Sequence, residues 1–305
     1  MTRREAAQLI ALGSAGMMLP RIGMGAEQQA MIQRPIPSSG EKLPVIGLGT
    51  WQSFDVGASA ADRAPLEEVL AAFVRFGGRV VDSSPMYGRA EGVFGDLAQK
   101  LRLHDSLFLA TKVWTTGKEA GVKSMERSLD LMKTKRMDLM QVHNLVDVRT
   151  HLATLREWKK QGRVRYIGIT HYTASAHDEA ARLLQREKDI DFVQINYSVG
   201  EREAEQRVLP IAQERGVAVI VNRPFGGGNL FSRVRGKPLP DFAAEIDCAS
   251  WAQLFLKWIV AHPAVTCAIP ATSKLRHLED NMRGGVGRLP DAKMRQRLVD
   301  AVAQL

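Results

Sequence analysis

Short apolar runs that alternate with helically spaced segments predict an α/β fold, a single-domain (β/α)8 TIM barrel. The alternation starts near residue 43 and continues to the end of the chain, and it implies parallel strands joined by right-handed crossovers. Eight strand-helix units in a chain of 305 residues favour a closed barrel over an open doubly wound sheet. No linker or break in composition divides the sequence into two domains.

Eight runs are predicted to form the strands, because each is rich in Val, Ile or Leu and too short for a helix. In chain order they are Val45–Leu48, Val80–Val81, Leu107–Ala110, Leu139–Val142, Val164–Ile169, Phe192–Ile195, Val217–Val221 and Val265–Ile269. Sets of apolar residues at helical spacing lie between them, for example Leu66, Val69, Leu70 and Phe73; Leu152, Leu155 and Trp158; and Ala252, Phe255 and Trp258. The stretch from Phe225 to Ala249 is rich in Gly and Pro and is predicted to be a long irregular, functional loop.

Composition excludes several classes of protein. The net charge of +9 suits anionic small ligands, but no basic block interleaved with aromatic residues indicates nucleic-acid binding. No uncharged run reaches the ~18 residues that span a bilayer, so stable membrane insertion is not expected. The two cysteines, Cys248 and Cys267, are too few for a disulfide framework or a structural zinc site. No metal site is expected.

The amino terminus has the pattern of an export signal. Arg3 and Arg4 precede Ala6–Pro20, which contains no Lys, Arg, Asp or Glu, and the small residues Gly23–Ala26 follow. The paired arginines resemble a twin-arginine signal. We therefore expect residues 1–26 to be a signal peptide, 27–42 a lead-in and 43–305 the barrel. The expected location is the periplasm or outside the cell, or the cytoplasm if the signal does not function; the alternative is a helical extension packed on the domain.

Ionisable side chains follow three consecutive predicted strands. Asp82, Lys112 and His143 each come at a strand end, and Tyr87 follows Asp82 by five residues. The carboxyl ends of barrel strands meet on one face, where barrel enzymes carry their chemistry. Each residue alone has a structural explanation, as a helix cap, a surface lysine or a buried histidine. Their succession favours one shared site.

A series of different short motifs lies at or after the predicted strands. In chain order they are Gly47-Leu48-Gly49-Thr50-Trp51, Asp82-x4-Tyr87-Gly88, Thr111-Lys112, Val142-His143, Gly168-Ile169-Thr170, Gln194-Ile195-Asn196, Ile269-Pro270 and His277-Leu278-Glu279-Asp280-Asn281. In this order and spacing they resemble the aldo-keto reductase family, from about Leu43 to Asn281. The resemblance implies a barrel that binds NADP(H) across the strand ends. It also implies that Tyr87, Lys112, Asp82 and His143 are the catalytic residues.

Elementary chemistry agrees with these four roles. Hydride transfer to a carbonyl carbon builds negative charge on oxygen, which needs a proton donor, and Tyr87 can supply the proton. An ammonium ~4 Å away at an effective dielectric of ~20 contributes ~4 kcal/mol, so we expect Lys112 to lower the pKa of Tyr87. Asp82 is expected to keep Lys112 charged, since burial alone favours the neutral amine. His143 is expected to orient the carbonyl oxygen or relay a proton.

The resemblance further implies which residues contact the cofactor. They are Thr170, His171 and Gln194 near the nicotinamide, Thr272 after the eighth strand, and Asp280 and Asn281 near the adenine. Trp51 and Trp114, together with His143, are expected to line the pocket of a small carbonyl substrate, although each tryptophan is equally consistent with packing at the barrel rim.

Two segments depart from the family pattern. Asn222-Arg223-Pro224-Phe225 replaces the aromatic residue that often stacks on the nicotinamide. Arg223 is expected to pair with a phosphate, Gly227 to let the backbone approach the pyrophosphate, and Phe225 to contact the cofactor; the alternative is a loop built for flexibility. Lys274 and Arg276 are expected to hold the 2′-phosphate, because Ala271 and His277 occupy the usual positions of the lysine and arginine. NADP(H) is therefore the preferred cofactor, with NAD(H) as the alternative.

The predicted function is reduction of an aldehyde or ketone to an alcohol by hydride transfer, with Tyr87 as general acid. A non-catalytic sensor or regulatory subunit that binds a nicotinamide cofactor remains an alternative, because of the Asn222-Arg223 departure and the export signal. A second alternative uses Lys112 as a Schiff-base nucleophile. Metal-dependent hydrolysis is disfavoured, because no His-x-His pair ends a strand.

Overall fold

A computed structural model describes residues 30–305 of the chain. The predicted signal peptide at 1–26 therefore lies outside the described residues. The described chain opens with a small antiparallel hairpin of strands β1 (Gln33–Pro35) and β2 (Lys42–Pro44). This hairpin was not predicted from the sequence, because each of its strands has only three residues and one of the three is a proline.

Eight parallel strands follow in one sheet, and each is hydrogen-bonded to the strand next in sequence. They are β3 (Leu48–Gly49), β4 (Val80–Asp82), β5 (Phe108–Val113), β6 (Met137–His143), β7 (Val164–Thr170), β8 (Phe192–Asn196), β9 (Ala218–Asn222) and β10 (Val265–Ala268). All eight predicted strands are present, with ends shifted by up to three residues.

Backbone contacts between the first and last of these strands close the sheet into a barrel. Parallel bridges join Ile46 to Ala268 and Gly49 to Ala271. The Gly47 amide donates to the Ala268 carbonyl and the Ala268 amide donates to the Val45 carbonyl, both at 2.8 Å. These bonds leave no open sheet edge, and they confirm the predicted (β/α)8 barrel.

Helices cover the outside of the barrel and the loops at its carboxyl end. They are α1 (Ala60–Arg75), α2 (Ala90–Lys100), α3 (Lys118–Leu131), α4 (Val148–Lys160), α5 (His177–Arg186), α6 (Val208–Arg215), α7 (Asn229–Arg233), α8 (Trp251–Val260), α9 (Leu275–Arg283) and α10 (Ala292–Ala303). Within residues 30–305, none of these helices has the length and apolar character needed to cross a bilayer.

Local sequence explains why α1 forms and how it packs. The Ser59 hydroxyl caps the helix by accepting a hydrogen bond from the Asp62 amide. The predicted apolar face, Leu66, Val69, Leu70 and Phe73, is buried against the barrel. The other two predicted apolar sets lie in α4 and α8, and their residues are likewise buried.

The hairpin covers the amino-terminal end of the barrel. Its Ile36 and Leu43 are fully buried with Phe108 and Phe192, and the Tyr166 ring packs between them with centroid distances of 5.9 and 5.6 Å. The Tyr166 hydroxyl donates to Glu41 of the hairpin turn at 2.9 Å. This end is therefore filled by side chains, and barrel enzymes carry their sites at the opposite, carboxyl end.

The stretch from Phe225 to Ala249 is more ordered than predicted. It contains α7 and two 3-10 turns, Gly226–Gly228 and Asp241–Ile246. Leu230, Phe242 and Ile246 of this stretch are buried in the main core. The prediction relied on the Gly and Pro content of this stretch. Its helices were not predicted because they are too short to produce a periodic apolar pattern.

Candidate active site

A cavity of about 740 Å³ opens at the carboxyl ends of the barrel strands. Its wall is made by the loops that follow the strands, and its floor includes side chains at the strand ends. A volume of this size accommodates a small-molecule ligand. Catalytic sites of barrel enzymes occupy this face, so the cavity is the candidate active site.

A buried ion pair lies at the floor of the cavity. Lys112 Nζ donates to Asp82 Oδ2 at 2.6 Å and to the Ser83 carbonyl at 2.7 Å, and the lysine is fully buried. The second carboxylate oxygen of Asp82 accepts from Gln194 Nε2 at 2.8 Å and from Gln141 Nε2 at 3.2 Å. Both charges are thus paired and hydrogen-bonded, as buried charges must be.

The charge of Lys112 is maintained by this pairing. Burial by itself lowers the pKa of the ammonium, but the nearby Asp82 carboxylate and Tyr87 raise it, and the net pKa lies above its usual value. Lys112 therefore stays protonated at neutral pH, as expected from the sequence. Because the side chain is completely enclosed, Lys112 acts on the cavity through its neighbours and its field, which disfavours its use as a Schiff-base nucleophile.

Tyr87 lies in the turn between β4 and α2 and faces the cavity. The Lys112 ammonium is 4.9 Å from the centre of its ring. Burial raises the pKa of the Tyr87 phenol above its ordinary value, and the opposing charge of Lys112 offsets this only in part. Lys112 lowers this pKa as expected, but desolvation of the phenolate outweighs the attraction of the ammonium. Tyr87 is therefore a protonated donor at neutral pH.

His143 ends β6 beside Tyr87 and has only a small exposed surface in the cavity wall. The two rings meet edge to face, with centroids 6.1 Å apart. Burial, with the charge of Lys112 and nearby His171 in support, lowers the pKa of His143 to about 3. The imidazole is thus neutral at physiological pH. Its Nδ1 atom is hydrogen-bonded to the Ser84 hydroxyl at 3.0 Å.

Seven predicted cofactor residues line the same cavity: Thr170, Gln194, Arg223, Phe225, Gly227, Thr272 and Lys274. Gln194 is oriented by two bonds, since its amide donates to Asp82 and its carbonyl accepts from the Thr170 hydroxyl at 3.1 Å. The loops after β7 to β10 therefore converge where the resemblance predicts a cofactor.

Four other predicted cofactor residues lie outside the cavity wall: His171, Arg276, Asp280 and Asn281. The His171 ring stacks on Tyr172 and accepts from the Thr173 amide at 3.2 Å. Asp280 accepts hydrogen bonds from Ser250 at 2.8 Å and Gln253 at 2.6 Å. Arg276 and Asp280 line a second, shallower hollow next to the cavity, and His277 borders both, so these two residues remain within reach of an extended ligand.

Two sides of the cavity differ in chemistry. The apolar arc, formed by Trp51, Met86 and Trp114, follows β3, β4 and β5, and these three side chains are 41–46% exposed. The basic arc, formed by Arg223, Gly227, Gly228 and Lys274, follows β9 and β10. Because β10 is bridged to β3, the two arcs are adjacent around the barrel mouth.

The basic arc combines exposed glycine backbone with polar atoms that lack hydrogen-bond partners. Gly226, Gly227 and Gly228 all have positive φ angles, of 58°, 67° and 99°, and a Cβ at Gly227 would come within 3.0 Å of Arg223 Nη2. Asn222 Oδ1 and Arg223 Nε are buried and have no hydrogen-bond partner among the described residues. An amide and a phosphate group suit such atoms, so these residues fit a nicotinamide dinucleotide.

Several polar residues of this site were not predicted from the sequence. Gln141 contacts Asp82, Ser84 contacts His143, and Glu201 lies 3.8 Å from Arg223. Strand alternation could have found Gln141, because it stands two residues before His143 and so faces the same side of β6. No local signal indicated Glu201, since its contact depends on the fold of the loop after β8. Within the described residues no cluster of side chains could hold a metal ion.

The chain is similar to known proteins in sequence and in fold. A sequence model of the aldo/keto reductase family matches residues 45–298. The aldo-keto reductase YhdN of Bacillus subtilis is 26% identical over 227 residues, which cover 70% of this chain and 66% of that protein. Methylglyoxal reductase DkgB of Escherichia coli O157:H7 is 25% identical over 248 residues, covering 79% and 86%. An aldo-keto reductase of Klebsiella pneumoniae solved with NADPH is 24% identical, with a TM-score of 0.74 over 89% of this chain and 95% of its own.

Proposed function

The chain belongs to the aldo/keto reductase family, and on that premise we propose that it reduces an aldehyde or ketone to an alcohol with NADPH. One observation carries the proposal: Tyr87 and His143 face one cavity, and the buried pair Lys112–Asp82 lies directly behind the tyrosine. A proton donor, a neutral hydrogen-bond donor and a fixed positive charge are the groups that carbonyl reduction requires.

Each residue has a distinct task in the proposed reaction. NADPH, when bound, supplies the hydride that attacks the carbonyl carbon. Tyr87 gives its phenolic proton to the carbonyl oxygen as negative charge develops there. Lys112 stabilises the phenolate that Tyr87 becomes, and Asp82 holds the ammonium in place and charged. His143 is neutral and donates a hydrogen bond that orients the carbonyl oxygen.

The cofactor is proposed to lie along the basic arc. Gln194 and Thr170 hold the nicotinamide amide, Arg223 and the backbone at Gly227 bind the pyrophosphate, and Phe225 and Thr272 pack beside them. Lys274 and Arg276 bind the 2′-phosphate, and Asp280 and Asn281 lie nearest the adenine. The NADPH-bound Klebsiella structure supports this choice of cofactor, and the unpartnered polar atoms of Asn222 and Arg223 support its position.

The substrate is proposed to lie against the apolar arc. Trp51, Met86 and Trp114 offer contact area to an apolar group, and the one carboxylate in this part of the cavity wall, Asp82, is neutralised by Lys112. A carbonyl compound whose remaining part is uncharged fits this wall better than an acid, since no cation among the described residues of this arc would pair with a carboxylate.

The test is NADPH binding by fluorescence, followed by turnover with a panel of aldehydes and ketones. We expect tight binding and NADPH oxidation that Tyr87→Phe abolishes. Binding without turnover on any carbonyl would favour the non-catalytic sensor, and absence of binding would contradict both readings. The same binding and turnover measurements with NADH test the cofactor preference.

We also propose that residues 1–26 direct export of the protein. The support is the sequence pattern of Arg3 and Arg4 before an uncharged apolar stretch. Cell fractionation of the full chain is expected to find it outside the cytoplasm, and replacement of both arginines by lysine is expected to retain it inside. Equal distribution of the two proteins would contradict the proposal.

A further inference from the structure

Ser84 is a residue of the site to which neither the sequence reasoning nor the proposed mechanism assigns a task. It is fully buried, follows Asp82 by two residues and hydrogen-bonds His143. Pro85 comes next, which restricts the Ser84 backbone to extended conformations. The Ser84 carbonyl also accepts from the Tyr87 amide at 3.0 Å. One residue thus connects the turn that carries Tyr87 to the imidazole of His143.

The state of the His143 ring depends on which nitrogen carries the proton. Because the pKa of His143 is lowered to about 3, the ring is neutral and has a single N–H. If Nδ1 carries it, the hydrogen bond with Ser84 uses the proton, and Nε2 is only an acceptor. If Nε2 carries it, Nδ1 accepts from Ser84, and Nε2 is free to donate to a substrate oxygen.

The surroundings of the Ser84 hydroxyl decide between the two tautomers. The Met86 amide donates to Ser84 Oγ at 3.4 Å, so the hydroxyl already serves as an acceptor. Among the described residues, the acceptor that the hydroxyl proton can reach is His143 Nδ1. A proton on Nδ1 would leave the buried hydroxyl with two donors facing it and no acceptor, which is unfavourable.

We propose that Ser84 is a positioning residue that fixes neutral His143 as the Nε2–H tautomer, so that the ring presents a donor to the cavity. Nε2 has no hydrogen-bond partner among the described residues, and His143 lines the cavity. A donor at this position serves a carbonyl oxygen, whereas an acceptor would repel it. The consequence for catalysis rests on the proposed function, but the tautomer itself does not.

The first experiment is nuclear magnetic resonance of the full chain labelled with 15N-histidine. The seven histidines give resonances whose pattern distinguishes Nε2–H from Nδ1–H, and the His143→Asn variant assigns the signal of His143. We expect Nε2–H in the wild type from pH 5 to 8. An Nδ1–H tautomer would overturn the proposal, whether or not the protein reduces any carbonyl.

The variant Ser84→Ala is expected to give a mixture of the two tautomers and a fall in kcat/KM of about tenfold, with NADPH affinity unchanged. Ser83→Ala is the matched control, because Ser83 is an equally buried neighbour whose hydroxyl bonds Thr50 instead of His143. It should leave the His143 signal unaltered. Ser84→Ala that loses activity without any change of tautomer would contradict the proposal.

A double-mutant cycle separates positioning from a general loss of structure. If Ser84 acts through the imidazole, Ser84→Ala has no further effect on kcat/KM in the His143→Asn background. A second loss of similar size would contradict a role through His143. Complete absence of turnover in the wild type would instead refute the proposed function and leave the resonance result standing.

Discussion

The apolar arc and the basic arc belong to one cavity but are built from different parts. The apolar arc is made of large side chains, Trp51, Met86 and Trp114, half-exposed at the mouth. The basic arc is made of backbone with positive φ at Gly227 and Gly228 and of the cations Arg223 and Lys274. Large rigid surfaces bind apolar groups, whereas bare backbone and guanidinium groups bind phosphate. This difference predicts that the binding of a carbonyl substrate and the binding of NADPH can be changed separately.

The largest expected effect concerns Tyr87, the proposed proton donor, which follows β4 next to Met86 of the apolar arc. Tyr87→Phe is expected to lower kcat by about 10³-fold, since it removes the proton donor and leaves the apolar ring in place. NADPH affinity, measured by fluorescence titration, is expected to change by less than about twofold. Comparable losses of both quantities would show that Tyr87 supports the site as a whole and would break the separation.

A second prediction concerns the buried imidazole of His143 at the end of β6. The folded chain holds His143 at a pKa of about 3 against 6.5 in the unfolded chain, so the unfolded chain binds the extra proton between these values. Stability is therefore lost as pH falls from about 6.5 towards 3. His143→Gln should reduce the loss between pH 7 and 5 by about 2 kcal/mol, measured by denaturant unfolding. Parallel curves for the two proteins would contradict the buried neutral state.

The basic arc alone is tested by Arg223→Met. We expect NADPH to bind about tenfold more weakly, because a charge-assisted contact to phosphate is worth roughly 1.5 kcal/mol or more. The KM of the carbonyl substrate at saturating NADPH should stay the same. Glu201→Gln is a useful companion, since it removes the carboxylate near Arg223 and is expected to strengthen NADPH binding. Weaker NADPH binding in that variant would contradict the assignment.

The apolar arc alone is tested by Trp114→Ala. The ring is half-exposed, so only part of its contact with a ligand is lost, and we expect KM for an aryl ketone to rise about fivefold. A small aldehyde, which does not reach the indole, is expected to be affected less. Steady-state kinetics on both substrates check this, and an equal effect on NADPH affinity would show that the arcs are not independent.

Much of this architecture could be predicted from the sequence, since it depends on local pattern. The strands appear as apolar runs because parallel strands of a barrel are buried on both faces, and Asp82, Lys112 and His143 are visible because they end such runs. The pKa of Tyr87 was not predictable in direction, because it depends on how far burial opposes the nearby ammonium. Partners such as Gln141 and Ser84 were missed because their importance comes from contacts between strands.

The closure of the barrel between β3 and β10 also has a consequence for how the chain is made. The bridging residues Ile46 and Ala268 are more than two hundred positions apart, so β3 gains its second neighbour only after the chain as far as β10 has left the ribosome. Until then, the unpaired backbone groups along the edge of the unfinished sheet are available to chaperones and to other nascent chains. Closure of the barrel is therefore a late step in folding, and slow synthesis of the last units is expected to prolong the period of aggregation risk.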